Sequence, residues 1–153
     1  MILPYKPVDR RRIRVKAFAV ILDRTAERHA VARMATAENP VFHRPLGGSV
    51  KHGEHSSEAV VREVAEELGA TFVEPVLLGV LESLFTIEGE SGHEIVFVYA
   101  GRLAEQEAIP DEGRPFRDLD KDRYVEWRPV TGLLDVPLLP EGLQDLIDVW
   151  VKT

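Results

Sequence analysis

Residues 48–70 read GSVKHGEHSSEAVVREVAEELGA, and the second half of this stretch carries the local signs of a helix. Ser56 or Ser57 can cap its start, Glu58 falls in the first turn where the helix dipole favours an anion, and Gly69 supplies a C-terminal stop. At roughly 100° per residue, Val60, Val61, Val64, Ala65 and Leu68 form an apolar stripe. Glu63, Glu66 and Glu67 fall on the other side, with Arg62 beside them. Like charges at these spacings destabilise an isolated helix by about 0.2–0.5 kcal/mol per pair.

A solvated acidic face, with Arg62 paired to Glu66 one turn on, is one account of this pattern. The residues ahead of the helix support another. Leu46-Gly47-Gly48 allows close backbone approach, and Glu54 adds a fourth carboxylate at the end of a glycine-containing turn. Hard oxygen ligands in that number suit Mg²⁺ or Mn²⁺.

Taken in order, Gly48, Glu54, Arg62-Glu63-Val64, Glu66-Glu67 and Gly69-Ala70 resemble the signature of the Nudix hydrolase superfamily in both spacing and residue type. Each glycine and polar position of that signature is present. The departures are Ala70, where the family usually has a larger aliphatic residue, Leu46 in place of a frequent proline, and Lys51 where an acidic residue is common. None of the three is an obligatory ligand position.

The resemblance implies a single α/β domain over residues 1–153, an α/β/α sandwich with a mixed β-sheet, in which a loop, a helix and a loop carry the site. It implies a pyrophosphohydrolase that uses Mg²⁺, with Mn²⁺ as a substitute. The substrate would be a nucleoside diphosphate linked to another group: a nucleoside triphosphate, a nucleotide sugar such as ADP-ribose, or a dinucleoside polyphosphate. Glu63, Glu66 and Glu67 would be metal ligands, Glu63 also accepting a proton from water or orienting it. A backbone carbonyl of Gly47 or Gly48 would complete the coordination, Glu54 would reach the metal directly or through water, and Arg62 would hold a carboxylate in register. Family members often use a further acidic residue outside the box. Glu126 and Asp122 are the leading candidates here, with Asp120 and Glu112 behind them. The competing reading is a regulatory module that keeps the fold and senses a nucleotide without cleaving it, which would be expected to have lost box carboxylates.

Composition sets outer bounds. The chain has 153 residues, 44% of them hydrophobic and 29% charged, as in an ordinary globular domain with a substantial core. Its net charge of −7 excludes a nonspecific nucleic-acid binder, while a metal would let an acidic protein act on phosphates. With no cysteine there is neither a disulfide framework nor a thiol nucleophile. No signal-peptide core and no apolar run of membrane-spanning length is evident, so the expected location is the cytoplasm and the expected partner a small nucleotide-derived substrate, with a homodimer also compatible.

The rest of the chain reads as alternating elements. Arg10, Arg11, Arg12 and Arg14 form a basic cluster, a solvated edge or a contact for an anion. Ile13, Val15, Ala17 and Ala19 alternate into a strand that turns wholly apolar at Val20-Ile21-Leu22, and residues 29–34 return as its hairpin partner. Val41 to Arg44 is a short extended segment ending at Pro45, and Arg44 beside the box is a candidate for bidentate phosphate binding. Strands are expected from Phe72 to Leu81, at residues 84–87 and at residues 95–100, with a turn at residues 88–92. Residues 105–123 look irregular, Tyr124 to Trp127 resume a strand, and residues 138–151 read as an amphipathic terminal helix. His93 and Glu94 suit a hydrogen-bonded strand end better than a metal site, and Phe42, Phe85 and Phe116 suit packing at least as well as base stacking.

Overall fold

A computed structural model describes residues 11–132 and 134–152; Arg10 of the basic cluster, like the rest of residues 1–10, lies outside them. The strands are β1 (Ile13–Leu22), β2 (Arg28–Met34), β3 (Phe42–Arg44), β4 (Leu46–Ser49), β5 (Phe72–Ile87), β6 (Glu90–Leu103), β7 (Arg114–Asp118) and β8 (Lys121–Pro129). Two α-helices complete the fold, α1 (Ser56–Leu68) and α2 (Leu143–Val151), with a short 3-10 turn at Gln106–Ala108.

The strands form one mixed sheet in the order β5-β6-β1-β2-β8-β7. Its parallel pair is β1 with β6, in register over the whole of β1. β1 and β2 pair only at Ile21↔Ala30 and Leu22↔His29, then part. The gap between them is filled by β4, which runs antiparallel to β1 from Lys16↔Ser49 to Ala19↔Leu46, and by β3, which pairs with the far end of β2.

The alternation of β1 sends its side chains into two cores. Ala17, Ala19 and Ile21 pack with Val60, Val64 and Leu68 of α1, and with Phe116 and Val125. Phe18, Val20 and Leu22 pack with Val96, Val98 and with Leu143 and Ile147 of α2. Helix, sheet and helix therefore form three layers, the expected α/β/α sandwich. No helix among the described residues is long and apolar enough to cross a membrane.

Several local expectations change. Leu46-Gly47-Gly48 is a strand rather than a loop, because its backbone continues the ladder of β1. The cap of α1 is His55, whose backbone N–H donates to the Glu58 carboxylate at 3.0 Å; Ser56 shares a hydrogen bond with the Tyr99 hydroxyl instead. On α1 itself, Ala65 is exposed, and Glu67 takes a place in the buried stripe one turn beyond Val64.

β5 runs unbroken for 16 residues, and the turn to β6 is the pair Glu88-Gly89 alone. Both residues have positive φ, 52° and 80°, as a two-residue hairpin with native twist requires. Residues 105–123 are not a long loop but hold β7, which pairs with β8 through the two-residue turn Leu119-Asp120. At the C-terminus α2 starts at Leu143, later than expected. The preceding chain is occupied elsewhere: Pro137 O accepts from His43 N–H at 2.8 Å, and Leu139 N–H donates to His43 O at 2.9 Å.

Candidate active site

Arg62 is the centre of the box. Its Nε donates to Glu54 at 2.7 Å, Nη1 to Glu63 at 2.9 Å, and Nη2 to the Ser49 carbonyl at 3.0 Å. Glu66, one turn on and half exposed, is held more loosely at 3.3 Å. These hydrogen bonds, that to Glu54 foremost, push the guanidinium above its usual range and hold the Glu54 carboxyl down at about 2. One cation thus gathers three carboxylates of the predicted site and anchors them to β4.

Glu67 is organised separately. Gly47 N–H donates to its Oε1 at 2.9 Å, while Oε2 is buried and accepts no hydrogen bond. Burial, with Asp118 nearby, raises its carboxyl to about 8, against the opposing pull of Arg44. A buried oxygen lacking a partner is costly unless something else satisfies it.

The two glycines of β4 have different tasks. Gly47 has φ 143°, and a Cβ there would lie 2.1 Å from the Ala17 carbonyl oxygen. At Gly48 a Cβ would instead meet the Glu63 carboxyl carbon at 2.4 Å. Gly47 lets the strand fit, and Gly48 leaves the space in which the Glu63 carboxylate rests.

As they stand, no three His, Asp or Glu side chains among the described residues form a ready metal cluster, since Glu54, Glu63 and Glu66 turn towards Arg62. The donor set nevertheless fits a hard divalent cation. It is all oxygen, it clusters on α1, the turn before it and the adjoining strand β4, and it includes the orphaned Glu67 Oε2.

The other predicted residues divide by face. On β8, Val125 joins the α1-side core, so Arg123 shares that face while Asp122 and Glu126 point to the opposite one. Asp122 is exposed and lies 3.8 Å from Arg117, away from the box carboxylates. Glu126 accepts from His43 Nε2 at 2.9 Å. That assignment follows from the other ring nitrogen: Arg128 Nη1 donates to His43 Nδ1 at 3.0 Å, which leaves the ring proton on Nε2. Glu126 therefore serves to fix β3, the strand that carries Arg44.

The acidic residue brought to the box is Asp118, at the end of β7. Its Oδ2 lies 3.6 Å from Arg44 Nη2 and 3.9 Å from Arg123 Nε, and its charge is felt at Glu67. Asp118 does not stand out in the sequence, because residues 105–123 read as irregular although they hold β7. The usable signal was the alternation of Phe116 with Asp118, answered by Arg123 and Val125 on the return strand.

The NUDIX domain family model matches residues 13–147. Among solved structures, the chain is similar to a MutT NUDIX hydrolase from Burkholderia pseudomallei, at 23% identity and a TM-score of 0.64 over 90% of this chain and 97% of that one. The MutT protein from Methanosarcina mazei Go1 gives 20% identity and a TM-score of 0.64, over 94% and 96%. A NUDIX hydrolase from Nitrosomonas europaea gives 24% and 0.55, over 78% and 74%. A search of curated proteins finds no significant match. At these identities the structural likeness speaks for the fold, and the family rests on the matched model together with the complete box. The chain belongs to the NUDIX domain family and is a hydrolase of phosphoanhydride bonds.

Proposed function

We propose that the enzyme cleaves a phosphoanhydride in a nucleotide-derived substrate with Mg²⁺, or Mn²⁺ in its place, held by Glu63, Glu66 and Glu67 with help from Glu54 and a β4 carbonyl. The observation that carries this reading is the buried Glu67 Oε2 without a hydrogen-bond partner, on the same helix as a carboxylate seated against Gly48. A bound divalent ion supplies positive charge to the phosphate oxygens.

The chain's own residues do the remaining work. Arg62 holds Glu54 and Glu63 in register and, by its bond to Ser49 O, ties them to the strand. Glu63, partly exposed, is placed to take a proton from a water. Arg44 offers a guanidinium to a substrate phosphate; it stands between Asp118 and the Phe18 ring, whose centre is 5.3 Å from its Cζ. Asp118 replaces Glu126 and Asp122 as the favoured acidic residue outside the box, on the strength of its nearness to Glu67.

The lack of cysteine permits the cytoplasmic location we propose. Exposed Leu77, Val80 and Leu84 along the edge strand β5 support a homodimer, which sedimentation velocity would reveal as a two-chain species. The test of the function is a panel of nucleoside triphosphates, ADP-ribose, nucleotide sugars and dinucleoside polyphosphates, incubated with and without Mg²⁺. Metal-dependent release of phosphate or nucleotide from at least one member is expected. Release from none would refute the reading.

A further inference from the structure

β3 is three residues long, yet it carries Arg44 to within electrostatic reach of Glu67. The Arg44 guanidinium is loosely held. Its Nε is buried without an acceptor, and Asp118 Oδ2 at 3.6 Å is beyond hydrogen-bond range. Pro45 follows at once and has no N–H to donate. The place of Arg44 is therefore set by whatever fixes the backbone of β3.

His43 does so, and all four of its polar atoms are engaged. Its N–H donates to Pro137 O at 2.8 Å, and its carbonyl accepts from Leu139 N–H at 2.9 Å. Its Nε2–H donates to Glu126 at 2.9 Å, and Nδ1 accepts from Arg128 Nη1 at 3.0 Å. Arg128 Nη1 also donates to Val136 O at 2.7 Å. Residues 136–139 thus lie along β3 as a strap, bridged in parallel at His43↔Leu138, while Arg33↔His43 pairs β3 with β2 on its other edge. One buried imidazole joins β3, β8 and the strap.

We propose that His43 is a positioning residue for the hydrolysis: its neutral ring locks β3 between β2 and the strap, and so fixes where the Arg44 guanidinium meets a substrate phosphate. This rests on the hydrolase reading above and adds a residue that acts through Arg44 rather than on the substrate. The lock depends on protonation. A proton on Nδ1 removes the acceptor for Arg128 and sets two charged donors face to face. The charged or titratable groups around the ring are Glu126 and Arg128 from β8 and Arg33 and His29 from β2; the strap, Val136-Pro137-Leu138-Leu139, brings none. Burial holds the ring below its ordinary value of 6.5, with Glu126 opposing and Arg128 and Arg33 adding to the fall. The lock is closed at neutral pH and opens in acid.

A double-mutant cycle tests it. Inorganic pyrophosphate with Mg²⁺ is titrated calorimetrically into the wild type, His43→Leu, Arg44→Gln and the double variant. Values of kcat and KM are measured for each on the best substrate of the panel, with urea melts to verify folding. His43→Leu should weaken pyrophosphate binding and raise KM about tenfold, with kcat changed less than about threefold; on top of Arg44→Gln it should cost less than about twofold. In His43→Asn, Oδ1 takes the place of Nδ1 as acceptor for Arg128 while Glu126 keeps Arg33, so this variant should recover most of the loss. In the wild type, pyrophosphate binding should weaken in acid along the titration of the His43 ring, read by NMR, and that component should be missing from His43→Asn. A merely structural role would instead lower kcat through a smaller folded fraction, equally with and without Arg44. The same factor in both backgrounds, or an acid weakening unchanged in His43→Asn, would overturn the proposal, and the second of these decides it even if His43→Leu does not fold. If the binding cycle holds but nothing is hydrolysed, the hydrolase reading fails and the positioning of Arg44 stands. If metal-dependent hydrolysis is found but Arg44→Gln binds pyrophosphate like the wild type, the positioning role fails and the hydrolase reading stands.

Discussion

Gly48→Ala should disable the enzyme while leaving it folded. The new Cβ would lie 2.4 Å from the Glu63 carboxyl carbon and 2.5 and 2.6 Å from its two oxygens. Ordinary carbon contacts begin near about 3.5 Å, so the carboxylate must move by roughly 1 Å. A misplacement of that size at a reacting centre costs on the order of 10²-fold in rate. The atoms that yield are the far end of a partly exposed side chain, and alanine is at home in a strand, so stability should stay within about 1 kcal/mol.

Gly47→Ala provides the contrast one residue away. There the Cβ would strike the Ala17 carbonyl oxygen at 2.1 Å with φ at 143°, and neither backbone can give way. A loss of about 3 kcal/mol or more is expected. The assay is kcat on the best substrate of the panel together with a urea melt of each variant. If Gly48→Ala keeps more than about a third of wild-type kcat, or melts as early as Gly47→Ala, the proposed division of labour between the two glycines is wrong.

Other expectations follow from single positions. Leu119 is almost fully exposed yet sits at φ 58° in the β7–β8 turn, so Leu119→Asn should raise stability by about 1 kcal/mol, read as a higher urea midpoint; a lower midpoint would contradict the strained turn. His29 is wholly buried and both ring nitrogens lack partners. Burial, with Arg128 and His43 adding to it, lowers its pKa to about 3. The unfolded ring takes up a proton near pH 6.5 and the folded ring only near pH 3, so stability is present above that window and lost as pH falls through it, by about 2 kcal/mol between pH 6.5 and 4.5. His29→Leu should flatten this part of the stability profile; an unchanged slope would show that other groups cause it.

Much of this was legible in the sequence because periodicity and box spacing report on strongly constrained positions. The alternation of Ile13, Val15, Ala17 and Ala19 marked β1, and the valines of α1 marked its buried face. What escaped was governed by tertiary context. Glu67 reads as part of an acidic face until the sheet is laid on the helix, and its burial then depends on Gly47 reaching across from β4. The β7–β8 hairpin was hidden because Leu119-Asp120 is not a recognisable turn pair, and with β7 went Asp118. Which face of β8 carried Glu126 and Asp122 could be decided only once Val125 was known to point towards α1. The start of α2 at Leu143 is likewise set by tertiary context, as the backbone before it is taken up by His43.

The central claim is that the box carboxylates act through a divalent metal, and the Mg²⁺ activation curve of the wild type against Glu67→Gln tests it most directly. Glutamine keeps an acceptor for the Gly47 N–H, so the variant should fold normally. Hydrolysis by the wild type should vanish in chelator and return with Mg²⁺. In Glu67→Gln the curve should shift to at least about tenfold higher Mg²⁺, with a maximal rate on the order of 10² lower. Hydrolysis that persists in chelator, or the same curve and maximal rate for both proteins, would contradict the account.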